Sequence, residues 1–206
     1  VLSPTASPPP IEGTINGEIM LNGNPFRIEH NLNLALLHIR SRTHPVNIWI
    51  DAICINQADE KERNRQVSLM AFIYTRATRV VAWIGTKGYP PMTGLFRSMS
   101  LEWKAGQTQH FGAFLAGESM LRCSPKPDQG TFARIMDSAY WRRMWIVQEI
   151  CLPRLLLFMY GSDIWTYEEF KGWDYLRIVQ PESRLTQSTL GHPAAALQLI
   201  ETRDRR

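Results

Sequence analysis

The stretch "IWIDAICINQADEKERNRQV" sets two carboxylates, Asp51 and Glu62, beside the thiol of Cys54 and the amides of Asn56, Gln57 and Gln66. It does so where an apolar run gives way to a charged one. Carboxylates and amides of this kind can orient a polar ligand and stabilise positive charge as a bond breaks. A second polar group, "WRRMWIVQE", places Arg143, Gln148 and Glu149 among tryptophans that include Trp145. Neither stretch brings a glycine-rich phosphate loop or metal-ligand spacing. Any reaction would therefore run on carboxylates, amides and aromatic stacking.

The elements that position these groups follow from hydrophobic pattern. "VNIWIDAICI" is nearly continuously apolar, the pattern of a strand buried on both faces of a parallel sheet. A helix is predicted from Lys61 to about Ala77, with Leu69, Met70, Ile73, Tyr74 and Ala77 on its apolar arc. Glu62 and Gln66 lie in the middle of that arc, on the first two turns, whereas Asn64, Arg65, Ser68, Thr75 and Arg76 face the other way. An ionised carboxylate facing inward must be paired, have its pKa raised, or line a cavity.

"TRVVAWIG" reads as a second buried strand, so strand, helix and strand form a right-handed crossover unit. The first turn of the helix, with Asp51, Asn56 and Gln57, then lies at the carboxyl edge of the sheet, where open α/β sheets bind ligands. A structural explanation stands beside this one. Glu62 can reach solvent from a frayed first turn, and Asp51 can cap loop amides. Cys54, flanked by isoleucines, reads as a small buried hydrophobe before it reads as a nucleophile.

Upstream, apolar stretches around Asn22-Gly23 predict a hairpin, and Asn31 is placed to cap a helix through "LNLALLHIRSR". Downstream, residues 86–129 show little order beyond helices near "GLFRSMSLEW" and "FGAFLAGESML". One helix is predicted through "FARIMDSAYWRRMWIVQEIC", with Trp141, Trp145 and Gln148 on one face and Glu149 flanking it. Gln148 there either meets a ligand or hydrogen-bonds a neighbouring strand or loop. "LLLFMYG" is a third buried strand, Thr166 and Glu169 form a capping box before the helix "YEEFKGWDYLRIV", and a last helix follows Pro193.

With 206 residues, 44% of them hydrophobic, and seven tryptophans, the chain can bury a substantial core. The formal charge of +4 is scattered among acids, and no Lys or Arg run exceeds two, which argues against a nucleic-acid partner. Three cysteines at wide spacing do not make a disulfide framework. Together with the lack of a membrane-length apolar span or signal-peptide layout, they point to a soluble protein of the cytoplasm. The proline-rich residues 1–12 read as a flexible tail.

The stretch "IWIDAICINQADEKERNRQVSLMAFIYTRATRVVAWIG" resembles the signature of the HET (heterokaryon incompatibility) domain of filamentous fungi: W-I-D-x-x-C-I-N-Q, then E-[RK]-x-x-Q, M, I-Y, A and W-[IL]-G. "YWRRMWIVQEI" resembles that family's R-x-W-x-x-Q-E, "NGNPFRIEHNLNLALLHIR" the stretch leading into the signature, and "LLLFMYGSDIWTYEEF" the strand and helix after it. The likeness runs from about Ile11 to Trp173.

The resemblance implies a TIR-like α/β fold with a flavodoxin-like parallel sheet flanked by helices, and a role in non-self recognition that ends in regulated cell death. It divides the chain into a HET domain over residues 13–173 and a helical extension over 174–206. TIR-like folds include enzymes that cleave NAD with a glutamate. On that analogy Glu62 is the first candidate and Glu149 the second, with NAD a substrate rather than a tightly bound cofactor and Asp51, Asn56, Gln57, Gln66, Arg143, Trp145 and Gln148 around it. The rival implication is a non-catalytic signalling or scaffold module that acts by self-association or through a partner signalling protein. The family normally opens with a block like Y-x-A-L-S-Y-x-W-G. Here "VLSPTASPPP" stands in its place, which predicts a sheet without its first strand and with one edge exposed.

Overall fold

Asn22 and Gly23 both adopt left-handed backbone, with φ of 52° and 81°. This turn closes strand β1 (Gly17–Leu21) onto β2 (Asn24–Ile28) as the expected antiparallel hairpin. The structure is a computed structural model that describes residues 17–40, 45–86, 114, 123–143, 145–173 and 191–205, the side chains of 191–197 excepted. The expected N-terminal tail, the helices near "GLFRSMSLEW" and "FGAFLAGESML", and the continuation of a helix past Trp173 fall on residues outside this set, apart from Phe114. At Gly17 a Cβ would lie 2.4 Å from the Asn33 side chain, so only glycine lets the hairpin start this close to the helix that follows.

That helix, α1 (His30–Ile39), buries Leu32, Ala35 and Ile39 at helical spacing. Its N-cap is Glu29 rather than the expected Asn31. The Asn31 amide is engaged elsewhere: its Oδ1 accepts the Trp83 indole N–H at 3.0 Å, tying α1 to the sheet.

The expected strand "VNIWIDAICI" is extended only as far as Ile50, and Asp51–Cys54 form a short helix, α2. Ile50 still packs with Val81, Trp83 and Leu157, and Ala52 and Ile53 lie against the same cluster. The apolar run is therefore buried in either conformation, and periodicity alone could not separate them. Helix α3 (Glu60–Arg76) buries Met70 and Tyr74 and exposes Asn64, Arg65, Ser68, Thr75 and Arg76, as the wheel indicates. Leu69, expected on the buried arc, is 44% exposed.

Strand β3 (Val80–Gly85) pairs in parallel with β4 (Leu156–Tyr160), which pairs antiparallel with β5 (Asp163–Thr166). The expected parallel, flavodoxin-like sheet is thus a three-stranded mixed sheet among the described residues. Strand β5 arises because Gly161, with φ of 62°, reverses the chain in a tight turn instead of leading it into a helix. Alternate residues of the sheet feed two cores. Val81, Trp83, Leu157 and Met159 meet α1 and Ile50, while Val80, Ala82, Phe158 and Trp165 meet Met70 and Tyr74 of α3 and the aromatic residues downstream.

The single helix expected over Phe132–Cys151 is broken into α4 (Gln129–Met136), a 3-10 turn (Ala139–Arg142) and α5 (Ile146–Cys151). Ser138 explains the break. Its hydroxyl accepts the Tyr140 N–H at 3.2 Å and donates to the Ile84 carbonyl at 2.8 Å, drawing the chain onto the end of β3.

Helix α6 (Tyr167–Lys171) starts at the expected capping box of Thr166 and Glu169. Thr166→Ala is expected to lower stability by about 1 kcal/mol, seen as a lower urea midpoint with an unchanged slope. Helix α7 (Gly191–Asp204) packs on α5: Tyr167 donates to the Ile200 carbonyl at 3.0 Å and Arg203 to the Pro153 carbonyl at 3.0 Å, while Lys171 pairs with Asp204 at 2.8 Å. Among the described residues no helix is long and apolar enough to cross a membrane.

Candidate functional site

The first signature block folds into a loop closed by its own polar groups. Asp51 begins α2, and its Oδ1 accepts the Ala52 N–H at 2.7 Å. The Asp51 carbonyl accepts the Gln57 side-chain amide at 3.0 Å, and Asn56 Oδ1 accepts the Ala58 N–H at 3.1 Å. Asp59 caps α3 by accepting the Lys61 and Glu62 amides, at 2.9 and 3.1 Å. Glu62 reaches back from the first turn of α3, and its Oε1 accepts the Asn56 N–H at 3.1 Å.

Asn56 and Gln57 are exposed, whereas Glu62 and Gln66 are half-buried. Cys54, expected as a buried hydrophobe, is exposed, because α2 turns it away from the core that Ile50 and Ile55 enter. The hydrogen bond from Asn56 to Glu62 is local and largely exposed. Glu62→Ala is therefore expected to cost only about 0.5–1.5 kcal/mol in a urea titration.

The second block builds a buried charge cluster. Glu149 lies on α5 with no exposed surface, and Arg143 just before α5 has a side chain 7% exposed. Arg143 Nη1 lies 3.1 Å from Glu149 Oε2, and the Tyr140 hydroxyl donates to Glu149 Oε1 at 2.9 Å. The guanidinium also sits 5.6 Å from the centre of the Tyr140 ring. Burial pushes the Glu149 carboxyl up to about 7; Arg143 and Tyr140 pull it down, and the Asp51 charge pushes it up. The Tyr140 hydroxyl is raised well above its ordinary range, first by burial and then by the Glu149 charge.

Trp145 is half-buried at the start of α5, packed against the core. The side-chain oxygen of Gln148 is buried without a hydrogen bond among the described residues. The two blocks do converge. Helix α3 packs on α5, and the Asp51 charge is felt at Glu149.

Each carboxylate nonetheless accepts from protein donors, Asp51 and Glu62 from neighbouring loop amides and Glu149 from Arg143 and Tyr140. A groove of about 460 Å³ lies elsewhere, lined by residues that include Ile19, Asn33, Leu36, Arg40 and Ile48 and by none of the candidate polar residues of the two blocks. Sequence reasoning missed both partners of Glu149: Tyr140 was not singled out, and Arg143 was placed around a substrate rather than on the carboxylate. Part of the signal was present: a carboxylate among tryptophans needs donors, and Tyr140 and Arg143 are among those within nine residues upstream. Among the described residues no group of His, Cys, Asp and Glu is placed to hold a metal ion.

Known proteins carry the same pattern. The family model described as heterokaryon incompatibility protein (HET) matches residues 5–149. Heterokaryon incompatibility protein 6, OR allele, of Neurospora crassa is 30% identical over 171 residues, which cover 68% of this chain and 25% of the relative. The chain thus spans about a quarter of the length of that curated relative. No solved structure matches. With both signature blocks inside the matched segment or at its end, and with a relative at this identity, the chain belongs to the heterokaryon incompatibility (HET) family.

Proposed function

We propose that the protein acts in fungal non-self recognition, in a pathway ending in regulated cell death, and that this region works there as a signalling module whose signature residues hold its shape. Family membership and the Neurospora crassa relative support the role in incompatibility. One observation carries the module reading: Glu149 has no exposed surface and is bonded to Arg143 and Tyr140, so a reactant cannot reach it without a rearrangement of α5.

The second reading, TIR-like NAD cleavage, draws on a different observation. Asp51 and Glu149 come from separate blocks yet lie close enough for one charge to raise the other's pKa, and Glu62 is half-buried nearby in sequence to Asp51. In that reading a carboxylate would stabilise the oxocarbenium-like state as the nicotinamide bond breaks. The test is incubation of the purified protein with NAD at high protein concentration, following nicotinamide release. No release is expected. Release that is abolished in Glu149→Gln or Glu62→Gln protein that remains folded would replace the module reading with the enzymatic one.

A further inference from the structure

The solvent side of α3 carries an exposed strip. Leu69 is 44% exposed and Phe72 57% exposed, and the exposed Arg65 and Arg76 stand four residues before Leu69 and four after Phe72. Spacing of four, three and four residues sets all four side chains along one flank of the helix, over about 16 Å. The Arg76 guanidinium lies over the Phe72 ring, 4.5 Å from its centre, which holds the cation beside the apolar patch. Neither arginine is ion-paired among the described residues. The acids of α3, Glu60 and Glu62, sit in its first turn, and Glu62 is engaged by the Asn56 amide.

We propose that this strip docks an acidic amphipathic helix of a partner protein. Two aliphatic side chains of such a helix would cover Leu69 and Phe72, while a carboxylate near each end meets Arg65 and Arg76 in charge-assisted hydrogen bonds. A second copy of this chain fits poorly. A two-fold arrangement would bring arginine against arginine at both ends of the strip, and like charges across an interface oppose association. The surface rests on the module reading and names the chemistry of its partner. Its test leaves the nicotinamide assay untouched, so each can fail alone.

The probe is a fluorescein-labelled synthetic helical peptide with two leucines three residues apart, flanked by glutamates, and a twin flanked by lysines. The expected result is an anisotropy rise with the glutamate peptide on the intact chain. Binding should weaken by about tenfold or more with Phe72→Glu. The double variant Arg65→Glu/Arg76→Glu should lose the glutamate peptide and gain the lysine twin, which keeps the test decisive if Phe72→Glu fails to fold. The proposal is overturned if neither peptide binds, if the intact chain binds both equally, or if the double variant does not exchange its preference. It is overturned equally if sedimentation shows a dimer that Phe72→Glu dissolves, or if the strip binds phosphatidylserine vesicles more tightly than the peptide.

Discussion

Glu149→Ala is expected to cost about 3–5 kcal/mol of folding stability near pH 8. The carboxylate has no exposed surface and receives the Arg143 guanidinium and the Tyr140 hydroxyl. Its removal takes a charged acceptor from a nearly buried guanidinium and from a fully buried hydroxyl, and losing a buried charged partner is far costlier than losing a surface bond. Helix α5 is only six residues long and has no side-chain cap at its N-terminus, so it depends on such tertiary anchors. Urea unfolding by circular dichroism gives the measurement. A loss below about 1 kcal/mol, the scale of an exposed ion pair, would mean that Glu149 is not held as described.

Stability should also fall as pH rises from about 4.5 to about 7. The Glu149 carboxyl is pushed up to about 7 in the fold from an ordinary value of 4.5, chiefly by burial. Across that window the folded protein holds a proton that the unfolded chain has released. The stabilising contribution is complete below the unfolded value and is lost as pH climbs through the folded one. A shift of this size corresponds to roughly 3–4 kcal/mol.

Asp128, which the Thr131 backbone amide and hydroxyl hold below the usual carboxylate range, works in the opposite sense, but only as pH falls through and below that range. Glu149→Gln removes the titrating group while keeping an oxygen and an amide in place. Thermal midpoints of the variant between pH 5 and 7 should be flat relative to wild type. A parallel slope in both proteins would assign the pH dependence elsewhere.

The hairpin at Asn22-Gly23, strands β3 and β4 and the capping box at Thr166 were legible because each rests on local chemistry: positive φ, a dense apolar run, a side chain reaching its own helix amides. Strand β5 was not, although "YGSDIWT" carries a turn glycine between two apolar runs. The apolar run ending in "DAICI" misled because Ile50, Ala52 and Ile53 reach the same core from a helical turn as they would from a strand. The break at Ser138 depends on a carbonyl 54 residues away in β3, which no local pattern reveals.

For the site, the sequence marked Glu62 and Gln66 as polar groups on an inward face and Glu149 as flanking the tryptophan face of its helix. It could not tell pairing from a cavity, because that depends on Tyr140 and Arg143 arriving from a broken helix. Leu69 shows the reverse error. The wheel placed it on the buried arc, but the core stops at Met70 and Tyr74.

The central claim, that the carboxylate of the second signature block is a structural anchor, is tested most directly by a double-mutant cycle between Arg143 and Glu149. Near pH 8, Arg143→Met and Glu149→Leu should each destabilise strongly, and the double variant should lose far less than their sum. A coupling of about 2–3 kcal/mol is expected, because two well-packed apolar side chains can replace a buried ion pair at little cost. Additive losses with no coupling, as two side chains facing an open ligand cavity would give, would contradict it.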